Sequence, residues 1–181
     1  MQNGTDDYLS LFSDTNLLTG GATGQFSIIE VASGTAANSI NSQENGFQFG
    51  FDPISTPYTA QVQLVGAYFN NAPEDGFEQG FYLGTGDQDN YAKIVLSAST
   101  DFGSPGADGG IEVVIESAGS ETRTLFPISG LIGESQNIDL MLTVDPAAAP
   151  IQPAYGVGGA SPVDLGSPIP VSGSLLDALQ G

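Results

Sequence analysis

The stretch of residues 78–96, EQGFYLGTGDQDNYAKIVL, constrains the fold of this chain more than any other. Two runs that favour strands, residues 79–83 and 90–96, flank a short connection rich in Gly, Asp and Asn. Strand-forming runs on either side of such a polar connection are typical of a β-hairpin. The sequence therefore predicts an antiparallel unit with an acidic tip.

Apolar and polar residues also alternate elsewhere along the chain. In residues 58–69 the alternation places Gln61 and Gln63 on the polar side. A period of two is typical of a strand with one buried face. Similar runs occupy residues 25–31, 47–51, 111–117, 121–126 and 138–144, with Pro, Gly and Asp turns between them. These runs predict an all-β, single-domain antiparallel β-sandwich.

The apolar faces of these runs define the predicted core of the sandwich. Its members share burial on one side of a strand: Phe47, Phe49, Val62, Leu64, Ile94, Leu96, Val113, Ile115, Leu140 and Leu142. All 181 residues are interpreted as one domain. Residues 1–20 are expected to form an N-terminal edge segment. Residues 146–181, rich in Ala, Pro, Gly and Ser, are expected to cover the sandwich and to include a short helix near 174–179.

The charge balance limits the partners of the chain. It has 21 acidic residues, two basic residues, no His and a net charge of -19. Such a chain repels nucleic acid and anionic membrane surfaces, and its carboxylates suit hard cations. No Cys is present, which excludes disulfides and thiol catalysis, and no run of ~18 apolar residues suggests membrane insertion.

Three patches resemble concanavalin-like (laminin-G-like) β-sandwich domains of large secreted bacterial surface proteins. Residues 78–96 match the pattern QxGxxLGxxDQDNYxKxVx of that family. Residues 142–155 are similar to LTVDP…VQPxY and residues 162–169 to PVxLGxPI, so the resemblance extends over about residues 47–179. It implies a jelly roll in a secreted or cell-surface, adhesin-like protein that is not an enzyme. Family members continue beyond the equivalent of LLDALQG into another apolar strand, so the domain is expected to be incomplete at its C-terminus or completed by another segment.

Two pairs of carboxylates are candidates for a metal site. Asp87 and Asp89 stand two residues apart at the hairpin tip, a spacing at which calcium loops place oxygen ligands. Asp101 and Asp108 lie in the Gly- and Pro-rich residues 100–110 and add ligands if that loop folds over the hairpin. Calcium is therefore the expected cofactor. The alternative is that Asp and Asn serve only the turn.

A polar and aromatic set is the candidate ligand site. Tyr82, Tyr91, Gln61, Gln63 and Asn90 combine rings with amides, a combination that suits carbohydrate in a chain without Trp. Aromatic residues at strand spacing also serve as core, and that alternative stays open. The leading prediction is a monomeric, calcium-assisted carbohydrate-binding module. The alternative is a structural scaffold that presents neighbouring domains and binds only ions.

A third pair of carboxylates resembles the pair that catalyses the hydrolysis of glycosidic bonds. Alternation in residues 111–117 places Glu112, Val114 and Glu116 on one face. Laminarinase-type glycoside hydrolases, which share the sandwich fold, carry E-x-D-x-E on such a strand. Val114 replaces the central Asp, and the chain lacks Trp for a sugar platform. Hydrolase activity is therefore not expected. The two glutamates are instead predicted to be solvated or to pair with Lys93 and Arg123.

Overall fold

A computed structural model describes residues 17–19, 26–28, 33–43, 55–65, 74–103, 109–132 and 136–180. The described residues form eleven strands: β1 Leu17–Thr19, β2 Phe26–Ile28, β3 Tyr58–Leu64, β4 Phe77–Gly84, β5 Tyr91–Ala98, β6 Gly110–Ser117, β7 Ser120–Pro127, β8 Ile138–Val144, β9 Pro150–Val157, β10 Val163–Asp164 and β11 Ile169–Pro170. One α-helix, α1 Gly173–Gln180, and two 3-10 turns, Ala37–Ser39 and Thr100–Phe102, complete them.

Two antiparallel sheets pack face to face. Sheet I is a meander with the order β4-β5-β6-β7. Sheet II has the order β10-β9-β8-β3, and β11 also pairs with β9. The pair β1-β2 is separate. The all-β antiparallel sandwich predicted from the alternation is therefore confirmed.

The core lies between the inner faces of the two sheets. Leu64, Ile94, Leu96, Val113, Leu140 and Leu142 are buried there, and Val62 and Ile115 pack against them. These eight confirm the predicted core, whereas Phe47 and Phe49 lie outside the described residues. The predicted strand over 47–51 and the continuation of β3 to residue 69 lie outside them as well.

Helix α1 closes one end of the sandwich. Leu175 and Leu179 are buried in the core cluster, and the Tyr58 hydroxyl donates to the Leu179 carbonyl at 3.3 Å. Gln180 Nε2 donates to the Pro146 carbonyl at 2.6 Å, just beyond the end of β8. The short helix expected near 174–179 is thus present. Among the described residues, no helix is long and apolar enough to cross a membrane.

The segment after residue 146 takes part in the sheet itself. Strand β9 pairs with β8 over its full length, from Val144 opposite Ile151 to Ile138 opposite Val157. The sequence predicted a covering segment here from its small apolar residues. The prolines at 150 and 153 lack an N–H and weaken the strand pattern. Pairing on the remaining groups and burial of Ile151 outweigh that loss.

Replacing Leu140 with Ala should lower the free energy of unfolding by about 2–5 kcal/mol, because a fully buried side chain leaves a cavity between the sheets. Urea denaturation followed by circular dichroism measures the change. The matched control is Val163→Ala, since Val163 is 53% exposed and its truncation should stay within about 0.5 kcal/mol. Equal effects of the two changes would contradict the assigned core.

Candidate functional site

The outer face of sheet I carries both basic side chains of the chain. Tyr82 pairs with Lys93, Lys93 with Val114, and Val114 with Arg123, so the four form one row across the sheet. Glu112 lies on the same face of β6, two residues from Val114. Lys93 and Arg123 therefore flank a strand whose carboxylate lies within reach of both.

Five charged side chains on this face form a continuous charge network. Lys93 Nζ lies 2.6 Å from Glu112 Oε1 and 2.9 Å from Glu78 Oε2. Arg123 Nε lies 2.5 Å from Glu112 Oε2, and its Nη1 lies 2.6 Å from Asp101 Oδ2. Both carboxylate oxygens of Glu112 are therefore engaged by cations.

The centre of the charge network is removed from water. The side chain of Glu112 is 3% exposed and that of Lys93 is 10% exposed. Phe102 helps to cover this face, since its Cε1 lies 3.0 Å from the point where a Cβ on Gly110 would stand. A buried pair of this kind is costly to break, because removing one partner leaves the other charge buried and unpaired.

The network shifts the pKa values of its members in different directions. Burial alone would raise the pKa of Glu112, but Lys93 and Arg123 outweigh it and hold the pKa below its usual range. Burial raises the pKa of Glu78, and the nearby Glu112 adds to the rise against the opposing effect of Lys93. Burial would lower the pKa of Lys93, yet its two glutamates raise it. Glu112 and Lys93 are consequently both ionised at neutral pH.

Opposite pKa shifts in two neighbouring carboxyl groups are a feature of acid and base pairs in glycosidases. Glu78 and Glu112 show such shifts, and both contact Lys93. Glu112, however, has both oxygens in ion pairs, and its side chain is almost fully buried among the described residues. The geometry favours the structural alternative, in which Glu112 pairs with Lys93 and Arg123.

Residues 33–43, which we call the strap, lie across the other part of the same face. The strap is closed on itself: Ser42 N–H donates to the Thr35 carbonyl at 2.9 Å, and Thr35 N–H donates to Ser42 Oγ at 3.1 Å. Its Ala36 is 4% exposed and packs with Tyr91 and Val114 of the sheet. The strap thereby covers part of the row that begins at Tyr82.

Polar contacts fasten the strap to the sheet and to the hairpin tip. Asn38 N–H donates to Glu116 Oε2 at 3.2 Å, and the Tyr91 hydroxyl donates to the same oxygen at 2.9 Å. Gln43 N–H donates to Gln88 Oε1 at 3.0 Å, and Gln88 Nε2 donates to the Gln43 carbonyl at 3.3 Å. Glu116 is therefore buried beneath the strap and bonded there, and is not a solvated carboxylate.

The two tyrosines predicted to face a ligand lie beneath the strap. The rings of Tyr82 and Tyr91 meet edge to face, with centroids 4.8 Å apart. The Tyr82 hydroxyl donates to Gln43 Oε1 at 3.2 Å, and burial raises the pKa of Tyr82 to about 12. Burial and the neighbouring Glu116 raise the pKa of Tyr91 as well. In this arrangement the tyrosines serve packing.

The polar residues of the hairpin tip bond to one another and to neighbouring loops. Asp87 Oδ1 accepts from the N–H groups of Asp89 at 2.9 Å and Asn90 at 2.8 Å. Asn90 Oδ1 accepts from Ala118 N–H at 3.0 Å, and Asp89 Oδ1 accepts from the Asn41 amide at 3.1 Å. Burial alone would raise the pKa of Asp87, but hydrogen bonds from the side chain of Thr85, from the N–H groups of Asp89 and Asn90 and from the Asn90 amide lower it overall. These contacts are the ones expected if Asp and Asn serve only the turn, which was the alternative to a calcium site.

The structure separates the predicted calcium ligands. Asp87 and Asp89 precede β5 and Asp101 follows it, and an eight-residue strand spans about 26 Å. Asp101 therefore does not share an ion with the hairpin tip, and it pairs with Arg123 instead. Asp108 lies outside the described residues. Within the described ranges, no group of three potential ligands is placed to hold a metal ion.

Gln61 and Gln63 lie on the opposite side of the sandwich from the tyrosines. Both Nε2 atoms donate to Asp139 Oδ1 at 2.9 Å on the outer face of sheet II. Asn137 Nδ2 donates to Gln63 Oε1 at 3.2 Å. We call these four residues the amide cluster. The predicted ligand set is thus divided between two faces.

Sequence reasoning did not single out Gln88, Asp139 or the strap. Asp139 carried a weak signal, because it interrupts the apolar run of residues 138–144 on the polar side of the alternation. Gln88 and the strap carried no signal in the sequence, since their contacts join residues 45 to 78 positions apart.

Comparison with protein-family models, curated proteins and solved structures found no match. The fold and the contacts of the described residues therefore carry the functional argument.

Replacing Glu112 with Gln should lower the free energy of unfolding by about 3–5 kcal/mol at neutral pH, because Lys93 and Arg123 lose a buried counter-charge. The folded-state pKa of Glu112 lies below the unfolded value of about 4.3, so its contribution is present above that value. The contribution is lost as the pH falls through the lower folded-state pKa. The difference between wild type and Glu112→Gln should therefore shrink as the pH falls below about 4.3, the unfolded-state value.

Urea denaturation over this pH range measures the difference. The control is Asp164→Asn, which removes a carboxylate from an exposed position in β10. A Glu112→Gln cost that stays constant with pH would show that charge is not its source.

Proposed function

We propose that this chain is a non-enzymatic structural module of a large secreted or cell-surface protein, of the concanavalin-like kind, that presents neighbouring ligand-binding modules. The observation that carries the proposal is the covered outer face of sheet I. Its two basic side chains are paired with three carboxylates in the charge network, and the strap covers Tyr82 and Tyr91. These two tyrosines, which the sequence predicted as ligand residues, form contacts within the domain. Such contacts are expected of a domain with a structural role.

The remaining charge suits an extracellular spacer. Both basic residues take part in the charge network, and the 21 acidic residues of the chain far outnumber them. Like charge keeps copies of the module apart and favours a monomer. Calcium, or salt at the ~8 Å screening length of physiological ionic strength, offsets the repulsion within one copy.

Calcium binding at the hairpin tip has a direct thermal test. If Asp87 and Asp89 hold the ion, calcium at 100 times its dissociation constant adds about 2.7 kcal/mol to folding stability. The melting temperature should then rise in calcium chloride above that in sodium chloride of equal ionic strength. The double change Asp87→Asn and Asp89→Asn should abolish the difference. Identical melting in the two salts would restrict the role of ions to screening.

Weak carbohydrate binding is the second candidate function, and the amide cluster is the observation that favours it. The side chains of Gln61 and Gln63 are held in place by Asp139, and both residues are exposed on sheet II. Fixed planar amides beside a carboxylate offer donors and acceptors to ligand hydroxyls. With hydrogen bonding as the main source of affinity, single-site dissociation constants should be on the order of 0.1–1 mM, strengthened by many copies on one surface.

A glycan array separates the two functions. A structural module should retain no glycan. A binding module should retain neutral glycans in the presence or absence of calcium, because the amide cluster lies across the sandwich from the hairpin tip. The double change Gln61→Ala and Gln63→Ala should then remove retention, whereas Glu74→Gln, at an exposed position before β4, should leave it unchanged. Loss on changing Asp87 and Asp89 instead would assign the ligand to the hairpin.

A further inference from the structure

The hydrophobic anchor of the strap is small: it is Ala36, which packs with Tyr91 and Val114. Ala36 is its only buried residue among those whose side chains the structure describes, and Ile40, its only large apolar side chain, is 59% exposed. Hydrogen bonds supply further contacts, to Glu116, Asp89, Tyr82, Glu121 and the side chain of Gln88. Segments with few buried apolar contacts open at low free energy, so we expect the strap to detach more readily than the core strands.

The surface beneath the strap recognises a peptide backbone. The amide of Gln88 pairs with both the N–H and the C=O of Gln43, the two-bond pattern that one residue of a strand offers its neighbour. Gln88 itself is 2% exposed, so its amide is held in position. Asn38 lies five residues before Gln43 in the strap, and its N–H donates to Glu116. Two fixed side chains thus bond to main-chain groups of the strap, and the side chains of Asn41 and Gln43 add contacts to Asp89 and Tyr82.

The strap and the surface beneath it are complementary in their hydrogen-bonding groups. Residues 33–43, SGTAANSINSQ, contain no charged side chain and present N–H donors. The surface beneath presents the carboxylates of Glu116 and Asp89, which accept from the strap. An acidic segment would be repelled from this surface, whereas an uncharged segment with a small residue at the position of Ala36 fits it.

We propose that the surface formed by Tyr82, Gln88, Tyr91, Val114 and Glu116 is a peptide-docking site, occupied in cis by the strap of its own chain and open in trans to the strap of a second copy. This interaction surface goes beyond the proposed structural role, because it provides a non-covalent link between modules. The net charge of -19 opposes the approach of two copies, so docking in trans strengthens as salt screens that repulsion.

The first test uses the full chain with residues 33–43 replaced by a Gly/Ser stretch of equal length, and a synthetic peptide of sequence SGTAANSINSQ. Amide chemical shifts of Gln88, Tyr91 and Glu116 report binding. The peptide should bind the replaced chain with a dissociation constant on the order of 1 mM, since it lacks the effective concentration of the tethered strap. Binding should weaken at least ~10-fold on adding Gln88→Ala, because two hydrogen bonds are lost.

The control in the same background is Gln152→Ala, which removes an amide from β9 of sheet II and should leave peptide binding unchanged. A folded replaced chain that shows no shifts at these residues overturns the proposal. Equal binding to the replaced chain and to wild type also overturns it, because the wild-type site is already filled.

Sedimentation velocity then tests whether the strap of a second copy occupies the peptide-docking site. Wild type and the replaced chain are mixed at ~1 mM each, comparable to the expected dissociation constant, in about 0.5 M sodium chloride, where screening acts over a few ångströms. They should form a partly populated heterodimer, and Gln88→Ala in the replaced chain should abolish it. Peptide binding without a heterodimer would overturn the assignment of a second copy as the partner.

A further measurement keeps the native strap and does not depend on the folding of the replaced chain. In wild type and Gln88→Ala, hydrogen exchange is followed at the N–H groups of Asn38 and Gln43 and at that of Leu140 in the core. Exchange at the two strap positions should accelerate at least ~10-fold in the variant, with Leu140 unchanged. Unchanged exchange at the strap would show that it does not detach and would overturn the proposal.

Discussion

The carboxylate of Glu112 is the interaction on which the outer half of this molecule depends. It receives Lys93 on one oxygen and Arg123 on the other. Lys93 extends the contact to Glu78, and Arg123 extends it to Asp101. Each strand of sheet I contributes one member, and the turn after β5 contributes the fifth. A chain with only two basic residues has therefore used both to join its four-stranded sheet across its width and to fix the turn that lies over it.

The strands of this fold follow from local pattern. Strand β8 coincides with the alternating run of residues 138–144, and the two hairpins of sheet I lie within two residues of their predicted limits. Such agreement is expected where alternation, turn residues and burial all favour the same structure. Strand β9 was missed; prolines at 150 and 153 contradict its local pattern, and only the pairing with β8 identifies it. Its contribution belongs to tertiary structure.

The candidate site shows the limit of sequence reasoning more sharply. Tyr82, Tyr91, Asp87 and Asp89 were selected for chemistry that their side chains possess, yet their surroundings depend on a segment far away in sequence. The contact between Gln43 and Gln88 crosses 45 positions, and that between Gln61 and Asp139 crosses 78. Strand register decides which carboxylate meets which amide, and no local pattern encodes it. The pairing of Glu112 with Lys93 and Arg123 was one of the two alternatives predicted, because the chain has only two basic residues.

The placement of the two basic residues also determines where a trypsin-like protease can cleave this protein and when those bonds become accessible. Such enzymes cleave after Lys and Arg, and the whole chain offers them two peptide bonds. One follows Lys93, in a strand hydrogen-bonded on both sides, and the other follows Arg123, inside β7. Cleavage requires an extended, unpaired segment in the protease cleft, so the sheet must open before either bond is accessible. Tryptic digestion therefore proceeds no faster than sheet I exposes these strands, and its rate reports the opening of that sheet.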